Sequence, residues 1–321
     1  MGGGYISPSY LSTTMTTVTR RVEAMSKHAP KQLTPKLFTP RQYNDDYVLH
    51  DRESLHPAVI GTSVDNLVRT MTLPAHAKRT PSAFRNACLE VFSHSLQGLT
   101  FMQAMGAFDD DPEEFWLSQC DMLTPTPTPS HVRAVVRLSL ADMAYRASQP
   151  TNVHTDASRW DVENIMVMAR RSITMLGDLG GVTVSGFHFA DGDEVIDDNL
   201  LKRSRYFGGY TSTITTGDGD FLTPDHLIDM KVSRQGPTKK HLLQVLTYWR
   251  MGLRAFNDTA QPMYSGNFHT ITHVGIINPR THTAYTLAVD TLTPDSVMFI
   301  DNDVIAYTVQ PDFKTAYIAR S

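Results

Sequence analysis

Four aspartates and one lysine stand in the stretch from residue 217 to residue 233, GDGDFLTPDHLIDMKVS. Asp218 and Asp220 lie two apart, as do Asp229 and Lys231. Residues two apart on a strand share a face, so the two pairs can oppose each other across a short hairpin. Carboxylates that face each other repel unless a cation lies between them, and a hard ion such as Mg²⁺ prefers oxygen ligands. The spacing therefore fits a divalent-metal site.

Two other uses of an acidic, glycine-containing turn are excluded at single positions. A calcium-binding EF-hand loop starting at Asp218 would have Leu222 at its fifth position and Thr223 in place of its obligatory glycine. A dinucleotide-binding fingerprint needs a third glycine at Leu222, and a helix where residues 226–233 read as a strand. A surface hairpin with solvated acids and a salt-bridging lysine remains open.

The segment that follows predicts a helix that carries further polar groups. In TKKHLLQVLTYWRMGLRAF, residues 238–256, Gln244 and Tyr248 lie four apart and therefore share one helical face. Lys240 lies one turn before them, and Thr238 is a suitable N-cap. A neighbouring apolar stripe predicts how the helix docks on a sheet; it consists of Leu242, Leu246, Trp249 and Leu253.

Three short motifs in this region, taken together, resemble a known nuclease pattern. They are G-x-x-D at 217–220, I-D-M-K at 228–231 and Q-V-L-T-Y at 244–248. Their order, spacing and predicted secondary structure resemble the PD-(D/E)XK nuclease superfamily, in particular its RecB-like branch with a Q-x-x-x-Y helix. The resemblance covers residues 180–290 and implies an α/β fold with a restriction-endonuclease-like core on a mixed sheet.

The resemblance also implies a metal centre and a reaction. Asp220, Asp229 and the main-chain carbonyl of Met230 would hold Mg²⁺ or Mn²⁺, which would bind a scissile phosphate oxygen and lower the pKa of an attacking water. Lys231 would orient that water and stabilise the negative charge that develops on the phosphate. The Q-x-x-x-Y pair of the helix would position the DNA backbone or the metal ligands.

The expected activity is a metal-dependent deoxyribonuclease, with DNA as its partner. Between residues 202 and 254, nine Lys and Arg stand against four Asp in a chain of net charge −4, which suits a phosphate-binding surface. Nothing in the sequence reads base or sugar identity, so RNA stays open as a substrate, and so do the endo- and exonuclease modes. The alternative is a catalytically inert nuclease-fold module that grips nucleic acid or a protein partner.

Other polar candidates are weaker. The RecB-like branch often adds a histidine or acid from an earlier helix that follows a small G-T-like turn. Asp65 in GTSVDNL, residues 61–67, stands in such a place, and Glu163 on the helix before the first strand is a rival. HTITH, residues 269–273, mimics an H-x₃-H zinc pair, but a sheet histidine pair without a carboxylate or thiol partner is the favoured interpretation.

The composition limits the class of protein. Of 321 residues, 41% are hydrophobic and 19% are charged, which is ordinary for a globular protein with a sizeable core. Cys88 and Cys120 are the only cysteines, so the four-cysteine iron–sulfur cluster of some RecB-like proteins is excluded, and two thiols fit a reducing cytoplasm. No apolar run approaches membrane-spanning length and the N-terminus lacks a hydrophobic signal core, so no membrane partner is expected.

The elements that must position these residues fall into three regions. Residues 1–45 are predicted to be a loosely ordered arm, residues 46–176 a helical region, and residues 177–321 the nuclease-like core. Helices are predicted at 56–71, 81–105, 109–123, 130–148 and 156–176. Strands are predicted at 181–190 with a bulge at Gly186, and at 210–216, 226–233, 271–278 and 282–290. The core face of the third strand is formed by Ile228, Met230 and Val232.

Overall fold

The computed structural model describes residues 16–189, 206–207, 213–214, 216–257 and 268–306. These residues form a mixed α/β fold in which most helices precede the sheet in the chain. This order confirms the predicted fold class at the level of a helical N-terminal region followed by a mixed sheet. No helix in the described ranges is long and apolar enough to cross a membrane.

Within residues 1–45, which were expected to be a loosely ordered arm, the structure describes residues 16–45 and finds a helix and a strand there. Helix α1, Val18–Met25, packs against the later helix Lys239–Asn257, and strand β1, Thr39–Gln42, pairs antiparallel with Thr283–Ala288. Apolar residues at helical spacing hold α1 in the core; they are Val18, Val22 and Met25, all buried. The surrounding Ser, Thr and charged residues hide this short stripe from a reading of composition alone.

Six helices make up the region between the arm and the sheet. They are α2 Pro57–Met71, α3 Pro81–Val91, α4 Ser93–Ala104, α5 Pro112–Asp121, α6 Pro129–Ala147 and α7 Arg159–Asp178. The single helix predicted over 81–105 is interrupted at Phe92, whose φ of −103° and ψ of 22° end α3. The indole of Trp116 donates a 2.9 Å hydrogen bond to the carbonyl of Phe92, so the carbonyl at this break has a partner. The other predicted helices are confirmed within a few residues.

A mixed open sheet follows. Its strands after β1 are β2 Val184–Phe189, β3 Tyr206–Phe207, β4 Gly217–Leu222, β5 His226–Met230, β6 His273–Asn278 and β7 Thr283–Ala288. The spatial order is β1-β7-β6-β5-β4-β2-β3, with β5 parallel to β6 and β2 parallel to β3. Six strands have four or more residues within the described ranges, and β3 is a two-residue pairing. Of the strand predicted at 210–216, the structure describes residues 213, 214 and 216, and Ile214 forms an isolated bridge with Thr16.

The two faces of the sheet are covered by different helices. Ile228 and Met230 of β5 join the core of α2 to α7, as the predicted alternation requires. Leu227 points to the opposite face and joins the core of α1 and of helix α8, Lys239–Asn257. After β7 the chain adds the short helix α9, Pro294–Met298, and a π-turn to Val304. Because both faces are covered, the charged residues of β4 and β5 lie among packed helices.

Candidate active site

The site lies where two neighbouring strands separate. β4 and β5 are register partners only at Phe221–Ile228 and Leu222–Leu227, next to the connecting turn. Beyond these pairs the backbones part, and the N–H of Met230 donates a 2.7 Å hydrogen bond to Oδ2 of Asp220. A side chain thus replaces the missing backbone partner and brings Asp220 against β5.

Pairing of β2 with β4 is also interrupted opposite Asp220. Gly186 has a φ of 69°, at the position where the sequence predicts a bulge. A β-carbon at Gly186 would lie 2.2 Å from Nη1 of Arg69, so glycine leaves room for that guanidinium. The local backbone therefore admits an arginine from α2 into the gap.

Asp220 is the most perturbed acid in this gap. Its Oδ1 accepts a 3.0 Å hydrogen bond from Nη2 of Arg69, and its side chain is 17% exposed. Burial raises the pKa of Asp220 to about 7, and the negative charges of Asp65 and Asp229 add to this effect, although Arg69 and Lys231 oppose it. An additional cation near Asp220 would therefore stabilise the charged form of its carboxylate.

Asp229 and Lys231 form an ion pair beside it, on one face of β5 as predicted. Nζ of Lys231 donates to Oδ1 of Asp229 at 3.1 Å and lies 2.8 Å from Oδ2. The direction of the shorter contact does not suit a hydrogen bond, so Oδ2 is buried with an electrostatic contact alone. Burial disfavours the charge on Lys231, but Asp229 and Asp220 raise its pKa, so the ammonium is charged at neutral pH.

A third carboxylate of the cluster comes from the helical region. Asp65 of α2 pairs with Arg69 four residues later, with a distance of 2.8 Å between Oδ2 and Nε, and its Oδ1 is buried without a hydrogen bond. Of the two earlier acids considered from the sequence, Asp65 is therefore the one in the site. Glu163 lies on α7 and pairs with His50 at 2.8 Å.

Asp218 lies on the same strand but has separate partners. Nη1 of Arg146 on α6 lies 2.8 Å from its Oδ2, and His188 of β2 hydrogen-bonds its Oδ1. Burial raises the pKa of Asp218, but the hydrogen bond and charge of His188 and the charge of Arg146 outweigh burial and hold that pKa well below its usual range. Arg146 in turn binds Asp142 four residues earlier, which repeats the arrangement of α2.

The two helix residues of the Q-x-x-x-Y motif bind each other. Nε2 of Gln244 donates a 3.1 Å hydrogen bond to the hydroxyl of Tyr248, whose side chain is buried and stacks on Phe189. Burial raises the pKa of Tyr248 well above its ordinary value, so the hydroxyl stays neutral. Any contribution of Tyr248 to the site runs through Gln244, which is only half-buried.

Two of the basic residues that the sequence places near the site form ion pairs with other parts of the protein. Arg250 is buried and forms a bidentate pair with Asp301, at 2.8 and 2.6 Å. Lys240 is exposed and binds Glu23 of α1 at 2.6 Å. Residues 202–205 lie outside the described ranges. Arg250 therefore fastens α8 to the π-helical segment Phe299–Val304 and is not part of a phosphate-binding rim.

Two arginines of the site were missed in the sequence. Arg69 and Arg146 each follow an aspartate by four residues on a helix, a spacing that favours an ion pair along one helical face. That signal is readable in the sequence. The strand carboxylate that each arginine contacts is about 70 or 150 residues away, and helical spacing contains no information on such a contact.

Comparisons with protein-family models, with curated proteins and with solved structures found no match to this chain.

Proposed function

We propose that this protein is a Mg²⁺- or Mn²⁺-dependent nuclease with a restriction-endonuclease-like core, related in mechanism to the RecB-like branch of the PD-(D/E)XK superfamily. The observation that carries the proposal is the convergence of Asp220, Asp229 and Lys231 where β4 and β5 separate, with Asp65 added from α2. Two of the three motifs that resemble this superfamily supply Asp220, Asp229 and Lys231 in the expected order.

The charges of the cluster support a divalent ion. Three carboxylates, from Asp65, Asp220 and Asp229, stand against two cations, Arg69 and Lys231, so the cluster has an excess of negative charge. Oδ1 of Asp65 is buried without a hydrogen bond, a costly state that a nearby metal ion would relieve, and Oδ2 of Asp229 has only its electrostatic contact with Lys231. The donors are all oxygen atoms, which suits Mg²⁺ or Mn²⁺. Asp220 and Asp229 are the proposed protein ligands, together with the Met230 carbonyl.

A bound ion would neutralise charge on a scissile phosphate and make a water molecule more acidic. Lys231 remains protonated because of its two acidic neighbours, so it acts as a fixed cation and hydrogen-bond donor and not as a base. Asp229 holds that ammonium at the end of β5. Gln244 lies on the same face of α8 as Tyr248, and it is the half-buried polar group of the Q-x-x-x-Y motif. These roles account for phosphodiester hydrolysis without a covalent enzyme intermediate.

Arg69 has a separate role in this proposal. Its guanidinium binds Asp65 and Asp220 and compensates their charges before a metal binds. A divalent ion at Asp220 would compete with Arg69 for Oδ1, and the released guanidinium is suited to phosphate recognition. The Arg69 guanidinium would thus stabilise the free protein and contact the substrate once a metal is bound.

The test is incubation of the purified protein with linear, circular and single-stranded DNA and with RNA, with and without Mn²⁺. Cleavage of at least one substrate is expected with the metal, and Lys231→Ala should reduce its rate by about 10²–10³-fold, the usual cost of removing a charge-stabilising donor. Lys240→Ala is the matched lysine control and should cleave at the parental rate, because Lys240 binds Glu23 at the surface. Equal cleavage by the parent and Lys231→Ala would refute the mechanism.

One observation favours a second candidate, a catalytically inert module of the same fold. Both oxygens of Asp220 already have protein partners, Arg69 and the Met230 N–H, and Lys231 is paired with Asp229. Such a cluster can be purely structural. Nucleic-acid binding that persists without any cleavage in the substrate panel would favour this module over the enzyme.

A further inference from the structure

A second polar cluster lies at the opposite end of β5. His226 and His273 are the first residues of the parallel strands β5 and β6 and are partners in register. Their rings stack with centroids 4.8 Å apart and an interplanar angle of 20°. Asp225 precedes His226 in the turn from β4. The three residues each offer one ligand atom, and these atoms lie within 4.8 Å of one another.

The backbone holds this cluster in place. The carbonyl of Asp225 accepts hydrogen bonds from the N–H groups of Thr272 and His273, at 2.9 and 3.1 Å. The turn before β5 is thus tied directly to the start of β6. Gly180, after α7, packs against Pro224 of the same turn and has a φ of 98°. The cluster is built on two strand ends and a packed turn.

Each imidazole has a partner at Nδ1. Oδ1 of Asp225 lies 2.6 Å from Nδ1 of His226, and Oγ1 of Thr272 lies 2.9 Å from Nδ1 of His273. Thr272 fixes the orientation of the His273 ring in this way and leaves its Nε2 for an ion, whereas Oδ1 of Asp225 and Nδ1 of His226 face each other and would share the ion in place of their hydrogen bond.

The ligand chemistry differs from that of the acidic cluster. Two imidazoles and one carboxylate suit Zn²⁺, which takes three protein ligands and leaves a fourth position open. Ligand atoms around such an ion are about 3.4 Å apart, so binding requires these half-buried side chains to rotate closer together than the present limit of 4.8 Å. His226 and Asp229 are three residues apart along β5, about 10 Å, and side chains three apart on a strand point to opposite faces.

We propose that Asp225, His226 and His273 form a Zn²⁺ site that is separate from the acidic cluster. The ion clamps the β4–β5 turn to the start of β6 and keeps one position for water or a small ligand. The sequence pointed instead to His269 and His273 as a pair. His269 lies in the 3₁₀ turn Phe268–Thr270 before β6, and the partner of His273 comes from β5.

The test uses the full chain, stripped of metal with a chelator and then titrated with Zn²⁺ against a chromophoric competitor. One equivalent should bind, and His226→Gln and His273→Ala should each weaken the affinity by at least about 100-fold, because each removes a ligand. His269→Ala and Asp220→Asn should change the affinity less than about threefold. Zn²⁺ affinity unchanged in both histidine variants, or lost in Asp220→Asn, would overturn the proposal.

A spectroscopic measurement on the unmutated protein keeps the test decisive if a histidine variant fails to fold. Co²⁺ at one equivalent should give the intense visible absorption of a four-coordinate site, and one equivalent of Zn²⁺ should abolish that absorption. A tenfold excess of Mg²⁺ should leave it unchanged, since Mg²⁺ prefers oxygen ligands. Absence of the band, or its displacement by Mg²⁺, would show that the histidine cluster does not bind the ion.

Discussion

Arg69 is the residue whose replacement tests the electrostatics of the acidic cluster most sharply. Its side chain is 17% exposed and binds Asp65 at 2.8 Å and Asp220 at 3.0 Å. Arg69→Met keeps most of the aliphatic stem but removes the positive charge. Asp65 and Asp220 then face each other with Lys231 as the nearest cation. The free protein should become less stable, because buried carboxylates lose their compensation.

The size of this loss follows from burial. Breaking a fully buried ion pair costs about 3–5 kcal/mol, and partial exposure together with protonation of Asp220 reduces this, so we expect about 2–4 kcal/mol at pH 7.5. Mn²⁺ should recover much of the loss, since the ion now binds Asp220 without competition from a guanidinium. An ion present at 100 times its dissociation constant stabilises the folded state by about 2.7 kcal/mol.

The assay is urea-induced unfolding of the parent and of Arg69→Met, each with and without Mn²⁺. The matched control is Arg146→Met, because Arg146 also follows an aspartate by four residues and also contacts a strand carboxylate, that of Asp218. Mn²⁺ should stabilise Arg146→Met only as much as it stabilises the parent, so the difference in stability between this variant and the parent should persist. The reasoning is refuted if Arg69→Met is as stable as the parent, or if Mn²⁺ stabilises both arginine variants equally.

Three further predictions concern packing, pH and the helix motif. A β-carbon at Gly98 would lie 1.8 Å from a carbonyl oxygen of α6, so Gly98→Ala should force α4 and α6 apart and lower the free energy of unfolding by about 1–3 kcal/mol. Burial lowers the pKa of His131 to about 4, so the unfolded chain takes up a proton first and stability should fall by up to about 3 kcal/mol between pH 6.5 and pH 4; His131→Gln should remove this fall. Tyr248→Phe deletes only the hydroxyl that accepts from Gln244, and it should cost about 1 kcal/mol while leaving Mn²⁺ affinity unchanged.

Each of these three predictions would be contradicted by one result. Gly98→Ala with parental stability would mean that the helices do not approach so closely. A pH profile that His131→Gln leaves unaltered would assign the acid sensitivity to other groups. A loss of Mn²⁺ affinity in Tyr248→Phe that exceeds tenfold would give the tyrosine hydroxyl a direct part in holding the metal ligands.

Helices and strands were predictable where the hydrophobic periodicity agrees with the residues that mark where an element starts or ends. Helix α2 starts at a proline and repeats apolar residues at helical spacing, and the alternation in β5 correctly placed Ile228 and Met230 in the core. The break at Phe92 was not predictable, because it depends on a hydrogen bond from Trp116 on another helix. Helix α1 was missed because its three apolar residues gain their burial from elements distant in the chain, among them α8 and β4.

The strand part of the candidate site was predictable for the same reason. Alternation puts Asp229 and Lys231 on one face, and a short turn brings β4 beside them. The sequence does not reveal that β4 and β5 separate after two register pairs, or that Arg69 enters the gap over Gly186. These features depend on the packing of the helical region against the sheet, which periodicity does not encode. The same limit concealed the pairing of His226 with His273.

Titration of the protein with Mn²⁺ by calorimetry tests the central claim most directly. The account predicts one site near neutral pH that is lost in Asp220→Asn and in Asp229→Asn and retained in His273→Ala. Because Asp220 holds a proton with a pKa of about 7, and a metal must displace it, affinity should fall by up to about tenfold per pH unit below that value. No binding at pH 8, or binding that both aspartate variants retain, would contradict a metal site where β4 and β5 separate.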